Sequence, residues 1–294
     1  MKSLAETIFV TRDQGIALGH FNISDEMTLR AIFESARELN LPVLIGTSEG
    51  EADFLSRMQA AALVRSLREE YDFPIYLNAD HHHSLDSVKK AVAAGYDAIL
   101  FDGGKLPLAE NIAQTKAVVE YAKSVNPNIL VEGELGYIGS GSEIISGIPE
   151  GAAVKPEDLT KPEEAARFVK ETGVDLLAPA VGNIHGMIEG ATTPGLDIER
   201  IKAVKAAAGV PLVLHGGSGT AEVDLAAAVQ AGVAIIHIAT EIRVAWRKGV
   251  EEGLKNVNEV APYKILTPAL LPIKQIVSAR LKLFSRKQSQ ANAR

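Results

Sequence analysis

The sequence predicts an α/β protein, a (β/α)8 or TIM barrel in a single domain with a C-terminal helical extension. Two observations support this prediction. Eight short apolar runs recur along the chain, and amphipathic segments separate most of them. The runs are continuously apolar, which is typical of parallel strands that are covered on both faces. Eight such units in about 250 residues fit a closed barrel, and a doubly wound open sheet is the alternative because a count of strands does not prove closure.

The elements follow from this pattern in chain order. The predicted strands are 17–23, 42–48, 75–80, 98–103, 129–135, 176–182, 210–216 and 235–240. The predicted helices are 25–40, 85–95, 111–125, 162–173, 196–209 and 221–232. Several of these helices end on glycine, the residue that most easily adopts the left-handed conformation at a helix end.

Three features lie outside this alternation. Segment 140–159 is the longest stretch without a pattern, and we expect a mobile loop of the kind that often covers a functional site. Segment 268–294 is predicted to be a terminal amphipathic helix with a basic tail, whose cations are Arg280, Lys282, Arg286 and Lys287. No linker rich in Pro, Gly or Ser divides the chain, so residues 1–294 are expected to form one domain.

Composition narrows the class of partner. The net charge of −7 argues against nucleic acid and anionic membranes, because both need a positive surface. The chain has no cysteine, so a transition metal could be bound only by His, Asp or Glu. No apolar run reaches the length of about 18 residues that spans a bilayer, and MKSLAETIFV lacks the core of a signal peptide. We therefore expect a cytoplasmic protein that acts on small solutes.

The histidines gather at predicted strand ends. His81, His82 and His83 follow the third strand in NADHHH, His185 follows the sixth, and His215 ends the seventh. In a barrel the carboxyl ends of all strands ring one mouth, so imidazoles from these three strands are expected to converge. Three such ligands with an open fourth position are typical of a catalytic divalent ion.

Glycines and carboxylates surround these histidines. GNIHG (182–186) and HGGSG (215–219) allow backbone N–H groups to approach an anion, and HGGSG precedes a predicted helix start, as phosphate loops do. The candidate carboxylates are Asp80, Asp102, Glu132, Glu134 and Glu143. On a regular strand Asp80 and His81 would face opposite ways, so Asp80 can carry protons only if the strand ends there; a helix cap is its alternative role.

Five motifs occur together in the order and spacing of one family. They are FDGGKLPLAENI (101–112), VEGELG (131–136), GNIHG (182–186), VPLVLHGGSG (210–219) and IATEIR (238–243). On these motifs the chain resembles the class II, zinc-dependent ketose-bisphosphate aldolases, which act on fructose or tagatose bisphosphate. The resemblance runs from about Gly15 to Phe284.

The resemblance implies a role for each matching residue. Asp80 matches the acid–base aspartate, and Glu134 matches a carboxylate that supports the metal ligands. The zinc ligands would be His81, His185 and His215. Phosphate and a monovalent cation, Na⁺ or K⁺, would be held by Gly182, Gly216, Gly217 and Ser218, with Ser48 near the same phosphate. Further substrate contacts are expected at Asn22, Gly186, His237, Ala239 and Thr240.

The resemblance also predicts roles for one arginine and one glutamate. Arg280 resembles an arginine that reaches a second phosphate, usually in a neighbouring subunit, which fits a homodimer or homotetramer. Glu143 is the only acid in GSGSEII (139–145), which replaces the more acidic GGxEDD loop of the family, and it would handle a carbon-bound proton. We expect neither His82 nor His83 to bind metal.

The expected reaction is metal-dependent aldol cleavage of a ketose phosphate, through an enediolate, to dihydroxyacetone phosphate and an aldehyde such as glyceraldehyde 3-phosphate. DHHHSLD (80–86) and IATE resemble the tagatose branch, whereas GNIHG resembles the fructose branch. His237 replaces a substrate-contacting asparagine, and Ile188-Glu189 replaces Tyr-Lys. These departures leave open a non-catalytic or altered-substrate relative that binds sugar phosphates. A metal-dependent hydrolase is a weaker alternative, because GHFNI lacks the paired histidines expected on its first strand.

Overall fold

The predicted strands form a closed parallel barrel in the computed structural model, which describes residues 2–139 and 141–285. The barrel strands are β1 (Leu18–Asn22), β2 (Val43–Thr47), β3 (Ile75–His82), β4 (Ala98–Phe101), β5 (Leu130–Leu135), β7 (Leu176–Pro179), β9 (Leu212–Leu214) and β10 (Val233–Ile238). Closure is direct, since β1 pairs with β10 from Leu18 opposite Ile235 to Phe21 opposite Ile238. The barrel prediction is confirmed and the open sheet is excluded.

Two shorter strands lie outside the barrel. β6 (Ile144–Ile145) pairs with β8 (Met187–Ile188) in a parallel two-stranded ribbon above the mouth. β6 belongs to segment 140–159, where the sequence predicts an unpatterned loop, and Ser140 lies outside the described residues. The ribbon joins this segment to the chain that follows β7.

Helices pack around the outside of the barrel and across one of its ends. They are α1 (Leu4–Asp13), α2 (Glu26–Leu39), α3 (Glu49–Leu55), α4 (Arg57–Tyr71), α5 (Leu85–Ala94), α6 (Leu108–Val125), α7 (Pro162–Thr172), α8 (Ile198–Ala208), α9 (Glu222–Ala231), α10 (Thr240–Gly253), α11 (Pro262–Leu266) and α12 (Leu270–Phe284). Left-handed glycines end several of them as predicted, including Gly95, Gly173 and Gly232. The sequence analysis did not predict α1, α3, α4, α10 or α11.

One end of the barrel is closed by α1. Its buried Leu4 and Ile8 pack with Leu18 and Tyr76 of the barrel interior. The Tyr76 hydroxyl also lies 2.6 Å from Thr7 Oγ1, so the plug is both apolar and hydrogen-bonded. The open end is therefore the ring of strand carboxyl ends.

The C-terminal extension is confirmed as helix α12. Ile273, Val277 and Leu281 are buried in the main core, and Lys274 reaches Glu34 and Glu38 on α2. Arg286 and Lys287, predicted to form the basic end, lie outside the described residues. No helix in the described part of the chain is long and apolar enough to cross a membrane.

Candidate active site

The end of β3 brings Asp80 and His81 to the same side of the barrel wall. His81 has a positive φ of 48°, and the pairing register of β3 with β4 shifts between Ala79 and His82. This irregularity breaks the strict alternation of side chains. Asp80 Oδ1 consequently lies 3.8 Å from His81 Nε2, and Ser84, not Asp80, caps the next helix.

Three imidazoles converge at the mouth, as the sequence predicts. The ring centroid of His81 lies 4.6 Å from that of His185 and 4.7 Å from that of His215. The centroids of His185 and His215 are 5.8 Å apart. One nitrogen of each ring lies within 4.8 Å of the others, which is a spacing that a single ion can bridge.

The second nitrogen of each ring is held by a protein oxygen. His81 Nδ1 lies 3.0 Å from Asp102 Oδ2, and His185 Nδ1 lies 2.8 Å from the carbonyl oxygen of Gly139. His215 Nε2 lies 2.8 Å from Glu132 Oε1. These contacts leave Nε2 of His81, Nε2 of His185 and Nδ1 of His215 to face a shared ion, with the ring orientation that such oxygens impose in metal sites.

The donor set fits a divalent transition metal. His215 Nδ1 is buried and has no hydrogen-bond partner in the described chain, so an ion would satisfy it. Glu134 Oε2 lies 3.5 Å from His81 Nδ1, beside Asp102. Three imidazole nitrogens with room for a further ligand match catalytic zinc rather than structural zinc.

Charges around His81 make ion binding sensitive to pH. Burial lowers the pKa of His81, but the carboxylates Asp80, Asp102 and Glu134 outweigh burial and raise the pKa from 6.5 to about 10. Burial lowers the pKa of His185 to about 4. An ion that binds here must therefore displace a proton from His81 and none from His185 at neutral pH.

Asp80 is held as a carboxylate by its neighbours. Burial alone would raise the pKa of Asp80, yet His81, His237 and His20 together lower it well below its usual range. Asn22 Nδ2 donates a 2.9 Å hydrogen bond to Asp80 Oδ2, while His237 Nδ1 lies 3.3 Å from Oδ1. Asp80 is thus an oriented carboxylate beside the candidate metal ligands.

His237 is itself fixed by a stack of rings. His20 from β1 lies flat against it, with centroids 3.5 Å apart and planes 8° from parallel. His20 fits because Gly46 has no side chain, since a Cβ there would lie 2.2 Å from His20 Cε1. The sequence analysis placed His20 within a strand and assigned it no role.

The glycine loops cross tightly beneath the site. Gly216 has a φ of 67°, and a Cβ there would lie 2.1 Å from the carbonyl oxygen of Ile184. A small cavity of about 20 Å³ lies above this crossing. Gly186, Gly216, Ser218, Ala239 and Thr240 line it, together with Asn22 and the acid–base and imidazole groups. Gly182 packs against Gly195, and Gly217 donates to the carbonyl of His237.

A larger cavity of about 320 Å³ opens from the same point. Ser48 and Glu143 line it with Arg243. Arg243 donates to Glu51 Oε1 at 2.6 Å and to the carbonyl of Ser142 at 2.8 Å, so it ties the Glu143 segment to α3. Glu189 is exposed and absent from the described residues that line either cavity.

Arg280 makes a contact that the sequence analysis did not predict. Its guanidinium pairs with Glu241 of the same chain at 2.6 Å and 2.9 Å. A carboxylate close enough for two hydrogen bonds holds the arginine fork inward. The sequence could not show this pair, because 39 residues separate its members.

His82 and His83 do not belong to any group of described residues that could share an ion. His82 is buried outside the barrel wall and its Nδ1 lies 2.8 Å from Ser87 Oγ. Asp102 and Arg243 were not assigned roles from the sequence, although Asp102 directly follows β4, at the end of the barrel where enzymes place functional groups.

Fold and site together are those of a barrel enzyme with a candidate site for a divalent metal ion, beside a carboxylate and a glycine loop. The family model for class II fructose-bisphosphate aldolase matches residues 2–289. The fructose-bisphosphate aldolase of Staphylococcus aureus (strain Mu50) is 34% identical over 286 residues, covering 96% of each chain. The probable fructose-bisphosphate aldolase of Bacillus subtilis (strain 168) shows the same identity and coverage. The YdjI aldolase of Escherichia coli K12 superposes with a TM-score of 0.80 at 27% identity, covering 97% of each chain.

The chain belongs to the class II fructose-bisphosphate aldolase family. It is an aldolase, a carbon–carbon lyase of a family that depends on a metal ion and acts on sugar phosphates. The resemblance drawn from the motifs is thus confirmed.

Proposed function

We propose that the protein cleaves and forms a ketose bisphosphate by a zinc-dependent aldol reaction, giving dihydroxyacetone phosphate and an aldehyde such as glyceraldehyde 3-phosphate. One observation carries the proposal: the free nitrogens of His81, His185 and His215 face one point beside Asp80. The anion loop at residues 215–219 lies within the same cavity. A ketose phosphate has a carbonyl, a hydroxyl and a phosphate to match these three features.

The metal supplies one kind of chemistry when bound. His81, His185 and His215 would hold a divalent ion, which would supply Lewis-acid stabilisation of the negative charge that develops on the substrate. The protein orients these imidazoles through Asp102, Glu132 and the carbonyl of Gly139. Glu134 Oε2 lies 3.5 Å from His81 Nδ1 and helps to orient the same imidazole.

Asp80 moves the proton that accompanies bond cleavage. As a carboxylate it accepts the proton of the ketose hydroxyl, and in condensation it returns that proton to the aldehyde oxygen. Asn22 and His237 hold its two oxygens in place. Glu143 lines the outer part of the cavity, and we assign it the carbon-bound proton of the enediolate.

Phosphate is held by the glycine loop and by α10. Gly216, Ser218 and Thr240 line the inner cavity, and the helix begins at Thr240. A helix start favours negative charge. Ser48, which the resemblance places near the same phosphate, caps α3 and lines the outer cavity. A bound Na⁺ or K⁺ near the loop, a homodimer or homotetramer and a cytoplasmic location complete the proposal.

A coupled assay tests the reaction. Fructose bisphosphate and tagatose bisphosphate are supplied separately to the zinc-loaded protein, to the protein treated with chelator, and to the treated protein given zinc again. Cleavage of one of them that is lost with chelator and restored by zinc supports the proposal. Equal cleavage in all three samples would exclude a metal-dependent reaction.

Substitution of Asp80 tests its role separately. Asp80→Asn keeps a side-chain oxygen that can accept the hydrogen bond from Asn22 Nδ2, but it removes the carboxylate that acts as the base. We therefore expect turnover to fall by about 10² to 10⁴. Zinc content, measured by atomic emission, should stay at the level of the parent chain. Loss of zinc together with activity would assign Asp80 to the structure of the metal centre instead.

An altered-substrate or non-catalytic relative is the second candidate. It is favoured by His237, which puts a stacked imidazole on the floor of the inner cavity. This candidate predicts zinc-dependent binding of dihydroxyacetone phosphate without exchange of its carbon-bound proton for deuterium. Proton exchange followed by nuclear magnetic resonance separates it from the aldolase.

A further inference from the structure

Arg280 is joined to the glycine loop through one intermediate carboxylate. Its Nη2 donates to Glu241 Oε1 at 2.6 Å and its Nε donates to Oε2 at 2.9 Å. The same Oε1 accepts a 3.0 Å hydrogen bond from the backbone N–H of Gly219, the last residue of HGGSG. The terminal helix α12 thus reaches the loop in two steps within one chain.

The loop and the start of α10 are joined from the other side as well. Ser218 Oγ accepts hydrogen bonds from the backbone N–H groups of Ala239 at 3.2 Å and Glu241 at 3.3 Å. Arg280 Nη1 also lies 3.9 Å from Glu222, at the start of α9. Arg280 therefore joins the starts of the two helices that follow the loop and β10.

The negative charge of Glu241 explains why the position of Arg280 matters. Glu241 is buried with 8% of its surface exposed, and it lies next to a loop that we assign to phosphate. An uncompensated carboxylate there would repel a bound phosphate. The guanidinium of Arg280, whose side chain is 14% exposed, neutralises it. Arg280 does not occur among the described residues that line either cavity of the site, so it acts at one remove.

We propose that Arg280 is a positioning residue that acts in its own chain, neutralising Glu241 and so keeping the loop at residues 215–219 receptive to the substrate phosphate. The inference rests on the proposed function for the identity of that anion. It differs from direct contact with a second phosphate across a subunit boundary, because it requires Glu241 as the intermediary.

Three variants and one control test the inference. Arg280→Met removes the charge at similar length, Glu241→Gln removes the opposing charge at the same shape, and the third variant combines both. Lys282→Met removes an exposed cation from the same helix and is the matched control. The dissociation constants of inorganic phosphate and dihydroxyacetone phosphate are measured by calorimetry on the zinc-loaded proteins, alongside their melting temperatures.

Arg280→Met is expected to weaken phosphate binding about tenfold or more, since a buried like charge then faces the anion. The double variant should recover most of the lost affinity, and Lys282→Met should bind as the parent chain does. Two results would overturn the inference: a double variant as weak as Arg280→Met, which indicates direct contact, or unchanged affinity with a lower melting temperature, which indicates a purely structural pair.

Binding is measured without turnover, so the inference and the proposed function fail separately. If the parent chain binds phosphate but cleaves neither ketose bisphosphate, only the proposed function is wrong. If the parent chain has no measurable affinity for inorganic phosphate or dihydroxyacetone phosphate, the inference is wrong.

Discussion

At the residue scale, the site depends on the backbone of His81. A regular strand would place Asp80 and His81 on opposite faces, whereas the positive φ of 48° brings both to the mouth. The sequence predicts which residues are involved, because strand ends of a barrel converge. It does not predict this torsion, which is uncommon for any residue other than glycine and is stabilised by contacts with Asp102 and Glu134 from other strands.

Asp102 should control metal affinity. Its carboxylate orients His81 through Nδ1, so Asp102→Asn is expected to weaken zinc binding about 10-fold to 100-fold. Affinity is measured by competition with a coloured chelator. Asp86→Asn makes the same charge change on the exposed surface of α5 and should bind zinc as the parent chain does. Equal affinity in both variants would show that His81 needs no such support.

His82 should make the fold sensitive to acid. Burial lowers the pKa of His82 from 6.5 to about 4, so between these values the unfolded chain binds a proton that the folded chain does not. Stability therefore falls as the pH falls through this range, by about 3 kcal/mol at pH 4 from this residue alone. His82→Gln should reduce the slope of unfolding free energy against pH there.

Urea unfolding of the metal-free proteins provides the measurement. Above pH 8 the imidazole of His82 is neutral in both states, so the parent chain and His82→Gln should show parallel slopes there. If the two slopes stay parallel down to pH 4, the pKa of His82 is the same in the folded chain as in the unfolded chain.

At the element scale, the strands were the easier part of the prediction. Their runs are apolar throughout because both faces are buried, a pattern that needs no tertiary information. The end of β10 was wrong by two residues, since Ala239 and Thr240 follow the strand and begin α10. That boundary is set by hydrogen bonds from α10 to Ser218, a long-range contact that the local pattern does not contain.

Substitution of Gly46 in β2 tests how closely this strand packs against the His20 ring of β1. A Cβ at this position would lie 2.2 Å from Cε1 and 2.4 Å from Nε2 of His20, so Gly46→Ala must displace the ring and the His237 stacked on it. We expect a loss of about 1 to 3 kcal/mol in stability, with lower turnover because His237 contacts Asp80.

Thermal unfolding and steady-state turnover measure the two effects. Gly147→Ala is the control, since a Cβ there meets no atom within 4 Å. Normal stability and normal turnover in Gly46→Ala would show that the stacked pair is not needed.

At the scale of the whole molecule, an ion bound to His81, His185 and His215 ties together three strands that are distant in sequence. Binding only to the folded chain should raise its stability by about 2.7 kcal/mol when free zinc is 100 times its dissociation constant. Calorimetric melting with zinc and with chelator measures this difference. His81→Ala should melt at the same temperature in both, and a zinc-dependent shift in that variant would place the ion elsewhere.

Barrel closure by β1 and β10 also has a consequence for biosynthesis. Pairing of Leu18 with Ile235 cannot occur until nearly the whole barrel has left the ribosome, and the tunnel still holds the next stretch of chain at that moment. His81 is made long before His215, so the nascent polypeptide offers an incoming ion only part of its ligand set. The complete set of candidate metal ligands is therefore present only late in synthesis, after β9 has been made.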